Sequence, residues 1–261
     1  MMAKLPPFPG TSGRREWRTA FDAIRKLLAN GDDTVQVFRL MRALNVGNSA
    51  ANYGRLIATE QGGRIAYDRV ELATRFSDPA FVARFAPGTV GAAYRDFLES
   101  TGYSADGLVE VSKFEPSLDD MAHPYAWFGR RIRDCHDIWH VLTGYKADET
   151  LGEAALAAFS YGQVGGLGWA VIGVAAGLKS VKVTGSTLFA KAVWEGYRHG
   201  RTARWISGED YLTLLDEPLD AARARLGIRE PVAYLYAQRE LGEELASYLS
   251  TQKAGAKPLA A

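Results

Sequence analysis

A single cysteine, Cys135, stands in 261 residues. One thiol closes no intramolecular disulfide and builds no cysteine-rich zinc ribbon, and such low usage fits a reducing compartment. Charge of one sign is also lacking, since 31 Lys and Arg stand against 30 Asp and Glu. That balance supplies no bulk attraction to nucleic acid, so no nucleic-acid partner is expected, and an electrostatic partner must meet a local patch. Long apolar runs are missing too. The longest, Val164–Leu178, is ended by Lys179 and interrupted by five glycines. It falls short of the ~20 residues that cross a bilayer, and no transmembrane helix is expected. The opening MMAKLPPFPGTSGRREW holds no apolar stretch of the secretory kind, so a cytoplasmic location is expected.

Strand-like alternation is nearly absent, and helical periodicity takes its place. The hydrophobic share of 47% is enough to fill a sizeable core. Trp17, Phe21, Ile24 and Leu28 recur at spacings of three and four, as one buried helix face requires, up to a left-handed cap at Asn30-Gly31. Val37, Phe38, Met41 and Leu44 form the inward face of a second helix, and Gly62-Gly63 breaks the next segment. Ser77-Asp78-Pro79 reads as a cap with proline at the first helical position. A central helix is expected from between Ser117 and Pro124 through Gly144, with further helices at 150–163, 186–200, 209–215, 217–226 and 231–249. The fold class is therefore all-α. It is a single-domain multi-helix bundle over residues 17–250, after an extended arm at 1–16 and before a tail at 251–261.

The chemistry concentrates in Cys-His-Asp-Ile-Trp-His. His136 and His140 lie four apart, about 6 Å along a helix axis, so one ion can bridge both imidazoles. Asp137 projects about 100° around the helix, either as a ligand or as a partner that orients one. A reversal through Gly144 brings back Glu153, thirteen residues past His140, on the following helix. Histidines four apart also occur as core or capping residues, but two of only four histidines fall here beside two carboxylates. Nitrogen and oxygen donors in this mixture suit zinc, iron, cobalt or manganese, and the metal site is expected between these two consecutive helices.

These residues resemble the Coq-four family of ubiquinone (coenzyme Q) biosynthesis proteins, whose signature is His-Asp-x-x-His, eleven residues, then Glu. His136, Asp137 and His140 match it, and Leu151-Gly152-Glu153 matches its Leu-Gly-Glu end, with twelve residues intervening instead of eleven. Pro87-Gly88-Thr89-Val90-Gly91, Arg131 and Arg133, Glu195–Arg201 and Arg225-Leu226-Gly227-Ile228 extend the likeness over roughly residues 31–228. The resemblance implies a bound divalent metal held by His136, Asp137, His140 and Glu153, an apolar groove for a polyprenyl chain, and other ubiquinone biosynthesis proteins as partners. It also implies peripheral attachment to a membrane surface, the inner membrane if the source is bacterial. A homodimer is left open. The reaction it implies is oxidative decarboxylation of a polyprenylated 4-hydroxybenzoate-type ring at carbon one, with His136, Asp137, His140, Arg131 and Arg133 at the catalytic site. Two alternatives stand beside this enzyme. One is a non-catalytic lipid-binding scaffold that organises the biosynthetic complex. The other is a metal-dependent phosphohydrolase drafting His123 and Asp148 into the site.

Three further features carry paired readings. Glycines 165, 166, 168, 173 and 177 leave either a lipid groove against Trp169, Val171 and Ile172 or room for close helix packing. Arg198, His199, Arg201 and Arg204 hold either an anion or simply the dipole of a helix end. Arg130, Arg131 and Arg133 either grip a substrate carboxylate or pair with acidic neighbours such as Asp134. Cys135 is expected in the core rather than on the metal.

Overall fold

In the computed structural model, which describes residues 13–31, 33–104, 109 and 122–242, all regular structure is helical. An isolated antiparallel bridge, Thr89 with Pro218, is the sole β-type pairing among the described residues. Most of the expected arm at 1–16, residues 243–250 and the tail at 251–261 lie outside the described residues. The helices are α1 (Trp17–Ala29), α2 (Thr34–Leu44), α3 (Asn48–Ile57), α4 (Glu60–Asp68), α5 (Leu72–Phe76), α6 (Pro79–Ala83) and α7 (Val90–Thr101). There follow α8 (Pro124–Asp134), α9 (His136–Thr143), α10 (Thr150–Val164), α11 (Leu167–Thr184) and α12 (Leu188–Thr202). A 3-10 turn at Ile206–Gly208 leads to α13 (Tyr211–Leu214), α14 (Leu219–Leu226) and a last helix, α15, at 232–242.

The core is organised on α10, whose residues are apolar nearly all round, and α12 lies against it backbone to backbone. A Cβ at Gly200 would stand 2.1 Å from the Phe159 carbonyl oxygen, and one at Gly196 would stand 2.4 Å from that of Ala155. Only side-chain-free positions permit this approach. Leu156, Phe159 and Trp139 are buried beside the contact, and the Trp139 indole N–H donates to Tyr211 Oη at 2.6 Å.

The central helix departs from expectation. Cys135, at φ −94° and ψ 2°, leaves the helical region, so α8 and α9 are separate and His136 opens its own helix. The end of α8 is tied elsewhere, because the Asp134 carboxylate accepts the Ala73 backbone N–H at 3.1 Å. On α1 the expected face holds only in part, since Ile24 packs inward and Leu28 is half-buried but the first two positions are not. Ala20 and Ala23 are buried, whereas Trp17 is 60% and Phe21 71% exposed. The helix packs through Ala20, Ala23 and Ile24 on α2 and α11, and the small residues bring the axes close and leave Trp17 and Phe21 outward. On α2 the buried positions are Gln36, Leu40, Ala43 and Leu44, so Val37, Phe38 and Met41 are not its innermost residues. Asn30 is extended (φ −136°) rather than left-handed.

Gly62-Gly63 does not break a helix either. Both lie inside α4, and a Cβ at Gly62 would meet the Leu56 carbonyl at 1.9 Å, so the glycine admits the end of α3. α11 is the one described helix long and apolar enough, by length and composition, to cross a membrane. Its flanks nonetheless pack on α1, α2, α10 and α12.

Candidate metal centre

Helix α9 sets the two imidazoles one turn apart, with ring centroids at 4.8 Å. Gly144, left-handed at φ 78°, ends α9 and its N–H donates to the His140 carbonyl at 2.8 Å. The chain then folds back hard. A Cβ on Gly152 would stand 2.0 Å from the Lys146 carbonyl oxygen, so glycine before Glu153 is what lets α10 begin against this loop. Glu153 returns with Oε1 3.4 Å from His140 Nε2. One donor atom each from His136, His140 and Glu153 falls within 4.8 Å of the others. The loop residue absent from the family's usual spacing is absorbed without displacing the carboxylate.

The donor chemistry fits an ion. His140 is 2% exposed, and its Nδ1 lies 2.8 Å from the Tyr145 carbonyl, an acceptor that holds the proton on Nδ1. That leaves the Nε2 lone pair aimed at the Glu153 side, and this buried atom has no hydrogen-bond partner. Flat rings enclose the pair. Phe97 lies near-parallel to His140 at 6.0 Å and Trp169 near-parallel to His136 at 6.2 Å. The Glu153 side chain is 45% exposed, so the centre is walled by histidines within and open on the carboxylate side. Burial opposes charge on both His136 and Glu153, yet their partners prevail. Asp137 and Glu153 hold the His136 imidazole above its ordinary value. The two histidines hold the Glu153 carboxyl below its own.

Asp137 sits apart from the three-donor group. Its Oδ1 is 3.8 Å from His136 Nδ1, and it is not among the three clustered donors. Arg133 is engaged with Asp134 at 2.8 Å. Arg131 is 4% exposed, donates to the Glu209 carbonyl at 2.5 Å and lies over the Tyr211 ring. His123 caps the start of α8 by accepting the Tyr125 N–H, the full length of that helix, about 16 Å, away from its Asp134 end, and neither it nor Asp148 joins the donor group. Cys135 is fully buried and desolvation pushes its thiol up to about 12, a core residue as expected.

Trp169 is brought to the centre, but Val171 and Ile172 pack toward α1 and α2. Trp169 and Val171 project about 200° apart on α11, so the three do not share one face. The helical glycines are occupied by packing: Gly168 faces Met41, Gly173 faces Val193 and Gly177 faces Ala190. Sequence reasoning missed Phe97 and the Tyr145 carbonyl. No spacing rule links Phe97 to a histidine 43 residues on, and a backbone acceptor leaves no side-chain signature.

The family described as coenzyme Q (ubiquinone) biosynthesis protein Coq4 matches residues 48–232, from α3 to the start of α15, with every candidate ligand inside. The chain belongs to the Coq4 family. Among its relatives, the mitochondrial ubiquinone biosynthesis protein coq4 of Pyrenophora tritici-repentis is 29% identical over 191 residues, covering 68% of this chain and 58% of the relative. The mitochondrial COQ4 homolog of Danio rerio is 29% identical over 179 residues, covering 68% of this chain and 63% of the relative. This chain thus spans about three-fifths of the length of these curated relatives. A crystal structure from Nostoc punctiforme PCC 73102, provisionally described as a ubiquinone biosynthesis protein, superposes with a TM-score of 0.61 at 18% identity. It covers 83% of this chain and all of that one, which supports the fold. The Coq4 match begins after α1 and α2, so the helical pair bearing exposed Trp17 and Phe21 lies outside the family core.

Proposed function

We propose that this Coq4 protein acts in ubiquinone biosynthesis on a polyprenylated 4-hydroxybenzoate-type ring, removing the carboxyl at carbon one oxidatively at a divalent metal. The observation that carries this is the buried, unpartnered His140 Nε2 facing Glu153 within the compact His136–His140–Glu153 group. His136 and His140 would supply nitrogen and Glu153 oxygen, with Asp137 orienting His136 from its Nδ1 side. A bound ion would polarise the ring phenolate and carboxylate and, if redox-active, pass electrons to dioxygen. Arg133 would orient the carboxylate by exchanging Asp134 for it, and Arg131 would act as a positioning residue beneath the Tyr211 ring. The ring would lie beside Trp169, which stacks on His136, and Val171 and Ile172, packed toward α1 and α2, are not assigned to the prenyl tail. Peripheral attachment to a membrane surface belongs to the same reading.

The test is elemental analysis of purified protein, mass spectrometry of its extracted lipid, and turnover of a prenylated hydroxybenzoate with dioxygen. Bound metal, a co-purified prenylated ring and turnover lost on chelation are expected. Turnover that persists in a metal-free His140→Ala protein would sink the proposal. A second reading, a lipid-presenting scaffold with a structural metal, is favoured by one observation: both arginines are already engaged by the protein itself. In that case chelation should unfold the protein or release partners with no chemistry to lose.

A further inference from the structure

The outer face of α12 carries Lys191, Trp194, Glu195, Arg198 and His199 at helical spacing, and Arg229 arrives beside them from the segment after α14. They line a surface pocket of about 300 Å³. The pocket is separate from the metal centre. Gly196 and Gly200, on the opposite side of α12, rest on the Ala155 and Phe159 backbone of α10. Glu153, two residues before Ala155, projects about 200° away from that contact. Arg201 and Arg204, part of the basic cluster read from the sequence, do not line the pocket, whereas Lys191 and Arg229 do.

The pocket is net positive, and among the described residues its cations lack ion-pair partners. Two arginines elsewhere show the contrast: Arg225 forks onto Glu217 and reaches Glu209, and Arg130 is forked onto Glu71. Among the described residues, no carboxylate lies within ion-pair distance of Lys191, Arg198 or Arg229. The one acidic group in the pocket, Glu195, is spent on backbone. Its oxygens accept the Ala233 and Tyr234 N–H groups at 3.0 and 3.1 Å, capping α15. Burial chiefly holds the His199 imidazole below its ordinary value; Glu195 opposes it, and the Arg229 and Arg198 guanidiniums add smaller pushes in the same direction as burial. Trp194, 61% exposed, forms an apolar wall beside these cations.

Three unpaired cations around a concavity match a dianionic oxyanion, and forked guanidiniums favour phosphate geometry. The adjoining indole suits the carbon skeleton of an ester. We propose that this pocket binds a phosphate monoester, with Lys191, Arg198 and Arg229 on the phosphate and Trp194 against the group esterified to it. The same chemistry is offered by a soluble phosphoester and by the monoester headgroup of a lipid.

The experiment uses the full chain and two probes. Phenyl phosphate is titrated by calorimetry, and phosphatidylcholine vesicles with and without phosphatidic acid are tested by co-sedimentation. Phenyl phosphate binding alone assigns the site to soluble esters, and phosphatidic-acid-dependent pelleting assigns it to lipid headgroups. In either case Arg198→Ala/Arg229→Ala, and independently Lys191→Glu, should weaken binding by about tenfold or more, while Arg25→Ala on α1 leaves it unchanged. All three sites are on the surface, and a thermal melt of each variant verifies its fold. No binding of either probe, or binding equally strong in the substituted proteins, overturns the proposal.

Discussion

His140 decides what the centre can do, because its Nδ1 is committed to the Tyr145 carbonyl while its Nε2 makes no hydrogen bond and faces the Glu153 carboxylate at 3.4 Å. Replacing it with alanine removes the only buried orphan nitrogen in the group, and metal content by elemental analysis should fall by roughly tenfold or more. Asp137→Asn should be milder in kind, weakening metal affinity by about 10-fold through loss of the charge beside His136 rather than of a donor; competition against a chromophoric chelator measures it. Protonation gives a second expectation. In metal-free protein the His136 value is raised from 6.5, so its contribution to stability is complete below pH 6.5 and is lost as pH rises through the folded value. The Glu153 value is lowered from 4.5, so its contribution is complete above pH 4.5 and is lost as pH falls through the folded value. The two overlap between 4.5 and 6.5, where His136→Asn or Glu153→Gln should depress the melting temperature most. A deficit that does not vary with pH would contradict this coupling. Metal binding runs the other way, since the ion must displace the His136 proton, and its affinity should climb as pH rises through that group.

Among the elements, adjacent glycines on α4 separate two effects of one methyl group. Gly62→Ala places a Cβ against the Leu56 carbonyl and should cost about 1–3 kcal/mol or more by forcing α3 and α4 apart. Gly63 has open space around its Cβ position, and Gly63→Ala should stabilise by about 0.4–1 kcal/mol through the unfolded chain. Paired urea melts read both, and equal effects would refute the close-approach account. The same contrast marks what was legible. The all-helical fold was readable because periodicity and caps are local, as at Thr89 and Asp78, whose side chains accept from Ala92 and Ala80. The His-His-Glu group was readable because helix pitch and a left-handed glycine are local too. The break at Cys135 was not, because the tie that holds Asp134 comes from Ala73, 61 residues away. Nor could periodicity say which face of α1 packs, since bulky and small stripes are equally regular and the choice lies with α2 and α11. The glycines of α11 and α12 look like flexibility in sequence and act as contact surfaces in space.

For the whole molecule, the centre joins α9 to α10, the helix on which the core is organised, so metal occupancy and global stability should be linked. An ion present at 100 times its dissociation constant adds about 2.7 kcal/mol, enough to move the melting point of a chain this size by roughly 5–10 °C. Calorimetry before and after chelation measures it, and an unchanged melt would separate the centre from the fold. One further consequence follows from the ring that lies face to face with His136. Of the six tryptophans, Trp169 is the one stacked on an imidazole of the centre, so its emission should register the arrival of a quenching transition ion. The protein therefore carries its own optical gauge of occupancy, readable in dilute solution with no added label and silenced by Trp169→Phe.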